Sequence, residues 1–228
     1  TTLAIPAGLG IIDLKYPVEI WVGDELYQVQ DLYVTKGPAV RVIGPFEGGS
    51  RQAHDTVFPP ETELDFTAMY EGKGGRMLRW RPVPGQAFQA NGILDLNIGC
   101  EDVDEATAYL TFEVEVPAAR KATVSLGSDD SVKVWLNGKL VHSNPVEVRG
   151  VTPGEDKFDV ALQAGTNIFL LKVCDNYGGW GASFELLDEA GQAFAGLQDR
   201  IALARTYPRD ALLRPPLRGA ATSRAGAS

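Results

Sequence analysis

An Asn-Gly pair, Asn137-Gly138, set between two runs of alternating apolar and polar side chains, constrains this chain more than any other feature. A two-residue hairpin with the twist of its strands needs two successive positive φ angles, and Asn-Gly supplies both. On the approach Val132, Val134 and Leu136 alternate with Lys133 and Trp135, which separates a face to be buried from a face turned outward. The same period of two runs through Ala108, Leu110, Phe112, Val114 and Val116 on one side and Thr107, Tyr109, Thr111, Glu113 and Glu115 on the other. That is a strand with a core face and a wet face. Further strands are expected at Ala122, Val124 and Leu126, at Phe158, Val160 and Leu162, from Asn167 to Val173, and at Phe184 and Leu186. Residues 91–98 alternate as well, and Val146 and Val148 read as a short edge. Ile168-Phe169-Leu170-Leu171, apolar without interruption, marks a central strand covered on both faces.

The pattern predicts an all-β antiparallel sandwich, and 228 residues suffice to bury its core as one domain. The 25 glycines and 14 prolines suit short strands joined by many turns. Three parts are expected: residues 1–39 as an arm and a β-hairpin over 17–35, residues 40–197 as the sandwich, and residues 198–228 as an extended C-terminal arm. The net charge of −9 excludes a surface built to neutralise nucleic-acid phosphates. From Asp199 onward the balance reverses, with six arginines against two aspartates. There Arg200, Arg205, Arg209, Leu212, Leu213 and Arg214 read as an arm that docks a protein partner. No apolar run approaches the ~20 residues that span a bilayer. Cys100 and Cys174 allow one disulfide in an oxidising compartment; a buried free thiol at Cys174 is the other reading.

No nucleophile elbow, zinc-binding H-E-x-x-H, P-loop or paired-cysteine spacing is present, and neither His54 nor His142 has a nucleophile at such a spacing. The chain therefore reads as non-catalytic. Its most pointed polar group is Asp129-Asp130 at the head of a strand, with Asp175 and Asn176 on a loop able to approach it. Such carboxylates are hard oxygen ligands suited to calcium; equally, turn aspartates of this kind bond backbone amides with no metal. A second candidate site is aromatic, with Trp135 opposite the core valines and Tyr177 and Trp180 in a Gly-flanked loop beside Asn176. Such rings can stack on sugar C–H groups, although Trp180 also fits as a lid on the core.

Gly127-Ser128-Asp129-Asp130-Ser131, Val134 to Lys139, Gly165-Thr166-Asn167, Leu170 to Val173 and Gly178-Gly179-Trp180-Gly181 together resemble a bacterial secreted β-sandwich module of the galactose-binding-like and PA14-like jelly-roll type. Gly44-Pro45-Phe46 and Phe58-Pro59-Pro60-Glu61 resemble its front, so the likeness covers residues 40–197. It implies an extracytoplasmic module that binds carbohydrate. In PA14-like lectins a related Asp-Asp pair holds calcium, which in turn holds sugar hydroxyls; other members of the broader fold keep Ser-Asp-Asp without metal. The alternative expectation is a structural subunit docked into a larger extracellular or membrane-attached assembly through its terminal arms.

Overall fold

The computed structural model describes residues 11–22, 25–36, 40–194 and 201–202, with side chains over 40–194. In chain order its strands are β1 (Ile11–Val22), β2 (Glu25–Lys36), β3 (Arg41–Glu47), β4 (Met69–Glu71), β5 (Met77–Arg79), β6 (Arg81–Pro82), β7 (Ile93–Asp95), β8 (Ala106–Val116), β9 (Arg120–Asp129), β10 (Ser131–Leu136), β11 (Lys139–Asn144), β12 (Asp156–Leu162), β13 (Gly165–Asp175), β14 (Gly181–Leu187) and β15 (Ile201–Ala202). Two one-turn helices interrupt them, α1 (Ser50–Ala53) and α2 (Leu96–Gly99). Among the described residues no helix is long and apolar enough to cross a membrane.

A six-stranded antiparallel sheet, ordered β11-β10-β13-β8-β3-β6, packs on a four-stranded antiparallel sheet, ordered β12-β9-β14-β7. The uninterrupted apolar strand β13 does lie in the interior of the larger sheet, between β10 and β8. Asn137 and Gly138 close β10 to β11 with φ of 51° and 78°, the two positive angles the turn demands. Between the sheets Phe112 and Phe169 stack with ring centroids 5.4 Å apart, and Phe184 from the opposite sheet meets them edge-on at 4.8 and 5.0 Å. Such aromatic pairs contribute about 0.5–1.5 kcal/mol each beyond the area they bury.

The outer face of the six-stranded sheet departs from the expected wet surface. Thr107, Tyr109 and Thr111 are buried, and only Glu113 and Glu115 at the far end of β8 reach solvent. Residues 48–80, which carry α1 and the hairpin β4-β5, lie across this face, and their Leu78 and Trp80 build a second apolar cluster with Ile43, Phe46, Tyr109, Trp135 and Leu170. Sequence alternation cannot distinguish a face open to water from one covered by a long loop. A buried cation pins that cover. Lys172, fully buried, donates to Glu61 Oε1 at 2.9 Å, Thr56 O at 2.5 Å and His54 O at 3.1 Å, while Tyr109 donates its hydroxyl to the same Glu61 oxygen. The Phe58 ring lies 5.1 Å from the ammonium. Burial lowers the Lys172 pKa and Glu61 opposes the shift, so the pair holds together only while both partners are in place.

Two sequence expectations are corrected, and of the two readings of the cysteines the free thiol holds. Residues 91–98 form a strand only over β7, because Asp95 accepts the Ile98 N–H and caps α2. Val146 and Val148 lie in the 145–155 connection, which makes no strand and instead carries Arg149 inward. Cys100 and Cys174 are both free thiols: Cys100 packs against the core between the sheets, whereas Cys174 shares the outer face of β13 with Leu170 and Lys172. The expected hairpin is present as β1-β2, and β15 extends it by pairing Ile201 and Ala202 with Lys36 and Thr35. The arm residues Arg200, Arg205, Arg209, Leu212, Leu213 and Arg214 lie outside the described residues.

Truncating Glu61 to Ala leaves the Lys172 ammonium and the Tyr109 hydroxyl buried without their shared acceptor. The variant should lose about 3–5 kcal/mol of stability in urea unfolding, because an uncompensated buried charge remains. Lys172→Met combined with Glu61→Gln should recover much of that loss. A loss below about 1 kcal/mol for the single variant would place the pair among weak surface contacts.

Candidate functional site

Four connections pass between the two sheets at one end of the sandwich: β7 to β8, β9 to β10, β11 to β12 and β13 to β14. The register accounts for their meeting. Ser131 at the head of β10 pairs with Cys174, Asp175 at the end of β13 pairs with Ala106, and Asp129 at the end of β9 pairs with Gly181. Asp129, Asp130 and Asp175 are thereby brought together, and each offers a carboxylate oxygen within 4.8 Å of the other two. The peptide between Asp129 and Asp130 is cis.

The three carboxylates are not equivalent. Asp130 is committed to the backbone: one oxygen accepts the Arg149 N–H at 2.9 Å and the other the Asn176 N–H at 2.9 Å. In this respect it behaves as a turn aspartate. Asp175 is fully buried, and neither of its oxygens has a hydrogen-bond partner. A buried carboxylate with no protein donor on either oxygen is costly, and a proton, a cation or a bound water relieves that cost. Burial, with Asp130, Asp129 and Asp104 adding negative charge, raises the Asp175 pKa to about 8; burial and then Asp130 raise Asp129 to about 7.

Backbone presses on the cluster from two sides. A Cβ on Gly49 would lie 2.3 Å from Asp175 O and 2.6 Å from Asn176 Oδ1, and one on Gly179 would lie 2.6 Å from Asp129 Oδ2. Only glycine permits this approach. The acidic run ahead of β8 is engaged as well: Glu101 takes a bidentate bond from Arg76, Asp104 accepts the Gly178 N–H at 2.9 Å, and Glu105 accepts the Tyr177 hydroxyl at 3.3 Å. Asp129, Asp130 and Asp175 are thus a compact group of hard oxygen atoms, the donor type that calcium accepts.

The aromatic candidates divide. Trp135 does sit opposite the core valines, but it is 9% exposed and belongs to the outer cluster, so no ring face is left for a sugar. Trp180, 3% exposed, packs into the core between the sheets and donates its indole N–H to Val173 O at 3.3 Å; it is a lid on that core. Asn176 is buried, with its side-chain amide donating to Glu147 O. Tyr177 alone of the four stands in solvent, 61% exposed, on the loop that covers the carboxylates. Sequence reasoning missed Arg149, whose loop read as an edge strand, and the chain holds no spacing that would have announced it.

The histidines form no nucleophilic pair. His54 Nε2 lies 3.1 Å from Ser143 Oγ, but Nδ1 is buried without a partner, so no acid orients the ring, and burial lowers its pKa. His142 stacks on Phe158 at 4.3 Å between ring centroids, with Nε2 3.4 Å from Asp156.

No protein-family model and no curated protein sequence matches this chain. Solved structures with a similar course of the chain include an anti-sigma factor domain-containing protein from Clostridium clariflavum (TM-score 0.38, 12% identity, covering 69% of this chain and 44% of that one). Others are a beta-glucosidase from Kluyveromyces marxianus (TM-score 0.37, 10% identity, 65% and 16%) and a PA14 sugar-binding domain from an RTX adhesin (TM-score 0.29, 15% identity, 39% and 50%). This chain thus spans less than half the length of the first and about a sixth of the second. At these scores the likenesses carry no argument about what it binds.

Carboxylates whose pKa is raised on folding contribute stability that is present below their unfolded value of ~4 and lost as pH rises through the folded value. With chelator present, the urea midpoint should therefore fall steadily from about pH 5 to about pH 9. Asp175→Asn should flatten the decline. An equal slope in wild type and variant would show that Asp175 is not held protonated.

Proposed function

We propose that this chain is a non-catalytic, extracytoplasmic binding module that takes carbohydrate through a calcium ion held by Asp129, Asp130 and Asp175. The observation that carries the reading is the buried, unpartnered Asp175 carboxylate within 4.8 Å of the other two. The likeness of Gly127 to Ser131 and Gly178 to Gly181 to a PA14-like module supplies the ligand class. When bound, calcium accepts six to eight oxygen ligands, more than three aspartates fill, and sugar hydroxyls are suited to the remainder. Around that position the chain's own groups are already disposed. Asn176 and Arg149 hold Asp130 in place through their backbone N–H groups, and the backbone at Gly179 closes on the Asp129 carboxylate. Tyr177 stands at the rim with an exposed ring suited to a sugar's apolar face. Extracellular calcium modules work at about 10⁻⁴–10⁻³ M, which fits a compartment outside the cytoplasm.

Glycan-array and affinity-gel binding with and without calcium tests this. Retention of a polysaccharide should require calcium, disappear in Asp175→Asn, and weaken about tenfold in Tyr177→Ala through loss of stacking at roughly 1 kcal/mol or slightly more. No retention under either condition would overturn the carbohydrate reading.

A second reading, a structural subunit docked through its termini, draws on one observation: β15 pairs with β2, so residues 201–202 join the β1-β2 hairpin in a three-stranded sheet separate from both sandwich sheets. Deleting residues 199–228 should then abolish assembly in size-exclusion chromatography while leaving calcium uptake intact. An assembly unchanged by the deletion would remove this reading.

A further inference from the structure

Arg149 belongs to neither sheet, yet it touches the Asp129-Asp130 corner from two directions. Its backbone N–H donates to Asp130 Oδ1 at 2.9 Å. Its guanidinium turns back under the same corner: Nε donates to Ser128 O at 2.9 Å and to Asp130 O at 3.3 Å, and Nη2 donates to Ser128 Oγ at 2.5 Å. Ser128 Oγ in turn donates to Asp130 O at 2.7 Å. One residue therefore holds the carbonyls on either side of Asp129 together with a carboxylate oxygen of Asp130, and none of its hydrogen bonds goes to the carboxylate of Asp129 or Asp175.

The charge of Arg149 is spent elsewhere. Nη2 and Nη1 reach the two oxygens of Asp156 at 2.7 and 3.3 Å, and Nη1 lies 3.3 Å from Glu155. Against burial, which alone would raise it, Arg149 and Asn144 hold Asp156 below the usual carboxylate range. With two carboxylates on it, the guanidinium is not a substitute for the ion. Its planar fork fixes five acceptor atoms at once, a geometry that a lysine ammonium cannot reproduce.

We propose that Arg149 is a positioning residue for the cation: it presets the Asp129-Asp130 corner against Asp175, so that ion capture needs no rebuilding of the turn. This rests on the calcium reading above and assigns a role to a residue that does not itself contact the ion. Groups that orient metal ligands in this way typically contribute about 10–100-fold in affinity.

The test is titration of the full chain with Tb³⁺ as the probe, followed by tryptophan-sensitised luminescence and checked by calcium calorimetry. Arg149→Met should weaken binding by about 10–100-fold, and Arg149→Lys, which keeps the charge and loses the fork, by a similar factor. Asp156→Asn, which frees the guanidinium from its anchor, should move affinity in the same direction by less. Lys172→Met, on the far side of the six-stranded sheet from the core, serves as the control: it should lower thermal stability and leave the affinity of the folded protein unchanged. Unaltered or tighter binding in Arg149→Lys would overturn the proposal, as would an equal loss in Lys172→Met. Absence of Tb³⁺ and calcium uptake in wild type would overturn the calcium reading and this inference together, so the two failures are distinguishable.

Discussion

The structure depends on how two sheets of unequal width close on one another. Six strands face four, and the aromatic contacts of Phe112, Phe169 and Phe184 hold the faces in register across the gap. A chain that alternates between such sheets must leave its ladders at the ends of strands, where main-chain donors lose their partners. Here four of those crossings gather at one end, and side chains satisfy them: Asp130 takes the N–H groups of Arg149 and Asn176, and Asp104 takes that of Gly178. The site is a consequence of the closure.

The same closure makes the two aspartic groups different in kind. Asp130 is satisfied by the turn and would be needed there whatever the protein did. Asp175 is not satisfied by any protein donor, although it ends a strand whose neighbours are fully paired. The fold tolerates that cost where something outside the protein, a proton, a water or a cation, relieves it. The distinction separates a carboxylate satisfied by the turn from one that no protein donor satisfies.

Stability and the site are carried on opposite sides of the larger sheet. Lys172 and Glu61 fasten the long loop that covers the outer face, and Tyr109, Phe58 and Phe46 wall that pair off from water. Asp175 leaves the same strand three residues later, at its end, where the loop to β14 begins. One strand thus carries the buried cation that secures the outer layer and, at its end, the buried unpartnered carboxylate.

The sequence alone determined the local elements. Alternation through Ala108 to Val116 specified β8, Asn137-Gly138 specified the hairpin of β10 and β11, and the apolar run at Ile168 to Leu171 placed β13 inside its sheet, because side-chain period and turn dihedrals are properties of short stretches. The Asp129-Asp130 corner was legible for the same reason. What tertiary structure decided was coverage and convergence. Trp135 and Tyr109 alternate as outward residues and are buried because a loop some fifty positions upstream of Tyr109 folds over them. Lys172 reads as a polar interruption of a strand, and Arg149 as a charge beside an edge. Each is fixed by partners remote in the chain, and no periodicity of a single stretch encodes a partner that only the closing of two sheets brings near.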